Sequence, residues 1–205
     1  MFYTAIFEKT KQSETEVEYR IERKAREDRI PSEREYITSF SLNGNKFEID
    51  FSMFSAHPVI ADMTSHLYFN LSGEETVKNH LLSIDAESCV INNPDHTARE
   101  IIPVDDTIFD FRTPKKLGKA IDSPLLSFSH GLNNAFILTG SRNVVLSTSD
   151  MKLTGQADTD AVVIYSGGYL FPESSFVAIE FQEIPINSRR TVTEEAHRHI
   201  EFTLE

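Results

Sequence analysis

ETEVEYRIERK, residues 14–24, alternates without a break. Thr15, Val17, Tyr19 and Ile21 fall on one face, and Glu16, Glu18, Arg20 and Glu22 on the other. Successive strand side chains point to opposite faces, so this spacing predicts a β-strand with one apolar and one wetted face. Glu, Arg and Lys favour helix individually, but the strict alternation favours a strand. The next stretch, EYITSFSLNGNKFEIDFSMF (35–54), repeats the pattern on both sides of Asn43-Gly44-Asn45. Asn-Gly supplies the positive φ angles of a tight hairpin turn, so residues 36–42 and 47–51 are expected to pair.

Outward from this hairpin, strands are expected at 59–69, 80–87, 134–139, 143–149, 161–165, 176–182 and 197–205. In the last, HRHIEFTLE, Arg198, Ile200, Phe202 and Leu204 alternate with His197, His199, Glu201 and Thr203. No long stretch carries a 3.6-residue period, and turn signals recur. The expected class is all-β, an antiparallel sandwich. RKAREDRIPSERE (23–35) reads as an exposed, mobile connection, and residues 92–105 read as a loop. There is no repeat, low-complexity segment or composition break, so residues 1–205 read as one domain.

Composition narrows the function. The 205 residues are 40% hydrophobic, enough for a core. The net charge of −12 and pI near 5.0 argue against a cationic surface for nucleic acid or a polybasic membrane patch. One cysteine, Cys89, excludes an intramolecular disulfide and a CxxC site and fits a reducing compartment. MFYTAIF (1–7) lacks the length and basic leader of a signal peptide, and no apolar run approaches the roughly 18 residues of a membrane helix. The expectation is a soluble, cytoplasmic protein that binds neither nucleic acid nor membrane.

Few residues carry chemistry. HLYFNLSG (66–73) places His66 beside strand-forming Tyr68 and Phe69, just before turn-forming Asn70, Ser72 and Gly73. His66 then projects from a strand end, where sites are commonly built. Read alone, it fits a hydrogen-bonded core or rim histidine better than a site residue. His197 and His199 share one strand face but make only half a metal site, with no Cys or third His near them in sequence, so no metal is assigned. His96 and His130 fall in expected loops without a signature. There is no P-loop, GxGxxG turn or GxSxG elbow, and SGG (166–168) reads as a turn. Glu180, in FVAIEFQEIPIN (176–187), sits among Ile179, Phe181 and other apolar residues. Partial desolvation there would raise its pKa and suit it to act as a base near neutral pH. The alternative is that Glu180 and Gln182 form the wet face of an edge strand.

Taken together, these stretches resemble the aldose 1-epimerases, or galactose mutarotases. In that family a TxHxYFNLxG strand end carries the catalytic histidine, and Thr64, His66, Tyr68, Phe69, Asn70, Leu71 and Gly73 match it. PVDDTIFDFRTPKKLG (103–118) is similar to a segment ending in T-x-F-D-F-R-x-P. HGLNNAFIL (130–138) falls at the G-[YF]-D-H-x-F-x-L stretch, and VAIEFQEIPIN (177–187) at L-E-T-Q-x-x-P-D-x-x-N. The resemblance implies a large twisted antiparallel β-sandwich, no cofactor, and an aldose such as galactose or glucose as the small-molecule partner. It implies His66 as general acid and Glu180 as general base. The base would take the C1 hydroxyl proton while the acid protonates the ring oxygen. The hemiacetal opens, C1–C2 rotates, and reclosure gives the other anomer. Acid and base are then expected on opposite sides of the reacting end, several ångströms apart.

The resemblance has gaps. Asn133 stands at the family's sugar-binding aspartate, and Asn134 at the histidine after it. Asn133 is kept as a substrate-binding residue, with weaker acceptor bonds than a carboxylate. The glutamine of a family Q-x-Y-T-G stretch has no counterpart in VIYSGG (163–168), where Tyr165 and Gly167 persist. Ile186 replaces the aspartate after Pro185. A histidine and an arginine that bind sugar from the family's N-terminal portion find no match. The chain is therefore expected to correspond to the C-terminal two-thirds of the family domain, with a sandwich incomplete on its N-terminal side. Exposed strand edges or apolar sheet surface would then favour self-association. Two functions follow: an epimerase keeping both proton-transfer residues, or a weak or inactive relative that binds carbohydrate or a protein partner.

Overall fold

The alternating segments assemble into two antiparallel sheets in a computed structural model that describes residues 5–186 and 191–205. In chain order the strands are β1 (Glu8–Gln12), β2 (Glu16–Arg23), β3 (Arg34–Asn43), β4 (Lys46–Ile60), β5 (Tyr68–Phe69), β6 (Leu81–Ile84), β7 (Ala86–Asn92) and β8 (Ala98–Pro103). They continue as β9 (Lys115–Lys116), β10 (Asn133–Leu138), β11 (Val144–Ser147), β12 (Lys152–Ala157), β13 (Ala161–Tyr165), β14 (Val177–Gln182) and β15 (Val192–Leu204). One sheet runs β1-β2-β3-β4-β15-β12-β11-β6-β9, and the other β5-β14-β13-β10-β7-β8. The architecture is the expected all-β antiparallel sandwich.

The expected hairpin forms. Asn43 pairs with Lys46 across Gly44, whose φ is +62°. The core lies between the sheets, where alternate residues meet. Ile49, Leu82, Leu146, Ile200 and Phe202 face Phe136, Ile164, Ile179 and Phe181, all buried. Each such side chain contributes roughly 1.5–3 kcal/mol. Gly155 sits where the Phe181 and Phe202 rings pack, 6.0 Å apart. A Cβ there would lie 2.9 Å from Phe202 and 3.1 Å from Phe181, so the sheets approach this closely only over glycine.

Several boundaries differ from the sequence expectation. The strand expected at 59–69 is broken: β4 ends at Ile60, 61–67 is irregular, and β5 is two residues long. The chain changes sheets here, and a crossing segment has no ladder partner. The 80–87 strand splits for the same reason into β6 and β7, which belong to different sheets. Residues 92–105 contain the edge strand β8, AREIIP, whose polar and apolar residues do not alternate. Polar β1 and β12 gave no apolar run to find. Segment 23–35 is not a free connection either. The Arg34 side chain is fully buried, 2.7 Å from Asp28, and its Nε donates to the Ser32 carbonyl.

Much of the inner face of the first four strands extends past the second sheet, although Ile49 of β4 reaches the core. Their inward residues Tyr19, Phe40 and Phe47 stay half-buried, and Leu42 is 51% exposed. Phe7, Ile30, Tyr36, Phe51 and Ile60 help line an open groove of about 420 Å³ on the same side.

Candidate active site

Strand register brings the acid and base candidates together. β5 pairs with β14 so that Tyr68 meets Ala178 and Phe69 meets Val177. Continuing this antiparallel register back two residues puts His66 level with Glu180. Their side chains meet, with His66 Nε2 3.4 Å from Glu180 Oε1. The turn after β5 is pinned on both sides. Asn70 Nδ2 donates to the Glu74 and Ser175 carbonyls at 2.8 and 2.9 Å, and its Oδ1 accepts from the Gly73 N–H. Buried His80 accepts the Leu71 N–H at its Nε2, 2.9 Å away. Burial lowers the His80 pKa, which keeps that nitrogen an acceptor.

Glu180 points to the outer face of the six-stranded sheet, away from the core. The neighbours Ile179 and Phe181 point the other way, into the core, so they are not what desolvates it. On the outer face Glu180 pairs with Val163, with Tyr165 beside that residue, and only 13% of its side chain is exposed. This burial raises the Glu180 pKa, and nearby His66 partly opposes the rise. Nor is β14 an edge strand, because β5 pairs its free side. The His66 side chain is 51% exposed and packs against the rings of Tyr68 and Tyr165, 4.8 and 6.2 Å away. Burial also raises the Tyr68 pKa, helped by Tyr165 and Glu180.

The outer face forms a cleft of about 390 Å³ that crosses four strands, from Glu180 on β14 to Asn92 on β7. That volume lies within the roughly 300–1,000 Å³ of small-ligand sites. Asn133, opposite Tyr165 in register, lines it. Asn134 faces the core instead, buried, with its Nδ2 donating to the Val90 carbonyl at 3.0 Å. Val163, two residues before Tyr165, offers an apolar surface where the family glutamine would stand. Among the described residues, no lysine or arginine lines the cleft.

The separation of acid and base differs from the sequence expectation. They touch, rather than flank a gap of several ångströms. An adjacent acid and base can reach two oxygens bonded to one carbon from the same side.

The remaining sequence candidates lie elsewhere. In the FDFR stretch, Phe109 and Phe111 are buried against Phe136, while Arg112 pairs with Asp110 and Asp105 at the surface. Arg112 holds the Asp110 carboxyl down to about 2. His197 contacts Ser52 and Glu195, whereas His199 groups with Glu48 and Glu201. Those donors are engaged: Asp50 with His199 and Lys46 with Glu201, each at 2.7 Å. Asn187, at the end of the last motif, lies outside the described residues. Sequence reading set His96 aside and missed Asn92 and Tyr169; all three line the far end of the cleft. No local pattern marks them, because three separate loops and strands bring them together.

The family profile described as aldose 1-epimerase matches residues 3–197. Human galactose mutarotase is 26% identical over 180 residues, covering 78% of this chain and 52% of that protein. The Rattus norvegicus galactose mutarotase is 25% identical over 179 residues with the same coverage. The chain thus spans about half the length of the mutarotases it matches. Among solved structures it superposes on a GalM/aldose epimerase homologue from C. elegans with a TM-score of 0.88 at 19% identity. The match covers 97% of this chain and 68% of that one. Galactose 1-epimerase from Lactobacillus acidophilus NCFM gives 0.87 at 21%, with 97% and 65% covered. These structures establish a shared fold, and the profile match places this chain in the aldose 1-epimerase family.

Proposed function

We propose that this chain is an aldose 1-epimerase acting on aldohexoses such as galactose or glucose. The observation that carries the reading is His66 and Glu180 in contact at one end of a cleft sized for a small ligand. Glu180, as carboxylate, takes the proton from the C1 hydroxyl. His66, as imidazolium, gives a proton to the ring oxygen, and the C1–O5 bond breaks to leave the open-chain aldehyde. Rotation about C1–C2 presents the other carbonyl face. Reclosure returns the proton from the ring hydroxyl to His66 and that of Glu180 to O1. Both residues end as they began, and no electrons are exchanged. Each positioned transfer contributes roughly 10²–10⁴-fold.

The second reading is a carbohydrate-binding relative with little turnover. Neutral Asn133 and apolar Val163 favour it, because they replace groups able to make stronger bonds to sugar hydroxyls. Polarimetry on freshly dissolved α-D-glucose and α-D-galactose separates the two. Acceleration over buffer that disappears in His66→Ala and Glu180→Gln supports the epimerase; folded protein without acceleration refutes it. Under the first reading Asn133→Asp should raise kcat/KM about tenfold by restoring a charged acceptor. No gain would mean that Asn133 does not contact the sugar.

A further inference from the structure

Resting on the proposed epimerase reading, we infer that His80 is a positioning residue: its ring holds the strand that carries His66 in the place where the acid meets Glu180. His80 does not line the cleft, and the proton transfers do not use it. The first argument is how little else holds that strand. β5 is two residues long, forms the edge of its sheet, and pairs with β14 only at Tyr68 and Phe69. Before it the chain is irregular over 61–67 and belongs to no ladder. β5 and the turn after it are therefore what set the position of His66.

The second argument is where His80 sits. It directly precedes β6, which belongs to the opposite sheet. Its N–H donates to the Val77 carbonyl and its own carbonyl accepts the Leu117 N–H, both at 3.0 Å. From that fixed backbone the ring reaches Leu71, two positions beyond β5, and accepts its N–H at 2.9 Å. The Val77 N–H in turn donates to the Ser174 carbonyl at 2.8 Å, and Asn70 Nδ2 to the Ser175 carbonyl, just ahead of β14. The loop from Asn70 to His80 thus ties the strand of the acid to the strand of the base, and both to the opposing sheet.

The third argument is the chemistry of the ring, which is fully buried. Accepting at Nε2 puts its proton on Nδ1. The Val77 carbonyl lies near enough to favour a proton there, yet Nδ1 is buried without a hydrogen-bond partner. A buried donor left unpaired is unfavourable, and an apolar side chain would fill the same space without that cost. The bond from Leu71 to Nε2 is the property of histidine that this position uses.

Mutarotation by His80→Leu and His80→Gln tests the role. Leucine removes the acceptor, whereas glutamine places its Oε1 near the position of Nε2. In His80→Leu, kcat should fall about ten- to a hundredfold, the effect of displacing a reacting group by about 1 Å, with KM within about twofold of wild type. His80→Gln should recover most of the loss. Phe40→Ala, which loosens distant β3, controls for lost stability and should leave kcat unchanged. If His80→Leu does not fold, His80→Asn, whose amide is too short to reach Leu71, takes its place. An unchanged kcat on loss of the acceptor, or an equal loss in His80→Gln, overturns the positioning role and leaves the epimerase standing. If no sugar is turned over, the epimerase reading has failed and NMR decides the role alone. The His66 ring signals, identified by their loss in His66→Ala, should move in His80→Leu and return in His80→Gln. Signals that stay in place in His80→Leu, or move equally in both variants, overturn it.

Discussion

The six-stranded sheet and the first four strands of the nine-stranded sheet obey the same alternation but put it to different use. In the six-stranded sheet both faces carry a defined feature. One packs Phe136, Ile164 and Phe181 against the opposing sheet, and the other carries Glu180, Tyr165 and Asn133 into the cleft. In β1–β4 the outer face is charged and the inner face, with Phe40, Phe47 and Leu42, is only half-covered. A two-residue period therefore says which residues share a face. What that face does depends on what lies across from it.

The largest expected contrast concerns carboxylates. Glu180→Gln should lower kcat by about 10²–10⁴-fold, whereas Glu48→Gln, on the outer face of β4, should leave mutarotation unchanged. Polarimetry on both variants decides it, and a comparable loss in both would erase the distinction between the sheets. Next comes packing. Phe181→Ala opens a closed core and should cost about 3–5 kcal/mol, against about 1 kcal/mol for half-buried Phe40→Ala. Urea unfolding of the two variants measures the gap; equal losses would mean that β1–β4 are packed as tightly as the sandwich.

A third contrast is electrostatic. Burial raises the folded-state pKa of Glu180, so the native state holds that proton more tightly than the unfolded chain. Ionised Glu180 is then a destabilising group at neutral pH. Glu180→Gln should be more stable than wild type at pH 7. That advantage should shrink as pH falls through the raised folded pKa, and vanish below the unfolded value of about 4.3. Unfolding midpoints across pH would show it, and a Gln variant less stable at pH 7 would contradict the sign. The smallest expected effect is association. The half-covered inner face of β1–β4 should give weak, concentration-dependent self-association that Leu42→Lys reduces. A clean monomer in sedimentation at micromolar concentration would show that this face is adequately covered.

Legibility followed the same divide. His66 and Glu180 could be proposed because motif residues surround each one, and Asn133 because Gly131, Phe136 and Leu138 fix its place in the motif. The all-β class was readable from β2 and the β3–β4 hairpin. Strand ends at 59–69 and 80–87 were not, since a chain that switches sheets keeps its apolar residues while losing its ladder partner. The cause of the Glu180 desolvation was misjudged for a similar reason. Ile179 and Phe181 are its neighbours in sequence but face the opposite side of the sheet, whereas Val163 and Tyr165 are distant in sequence and adjacent in space.

By itself, the sequence determined the period, the hairpin turn at Asn43-Gly44, the candidates for an acid and a base, and the resemblance to the family. These depend on local geometry and on residue type. Only the tertiary structure decided that His66 and Glu180 touch, that Asn133 faces the cleft while Asn134 faces the core, and that His96 and Tyr169 meet. Antiparallel register and the crossing of loops set those distances, and they join residues tens of positions apart that no local pattern links.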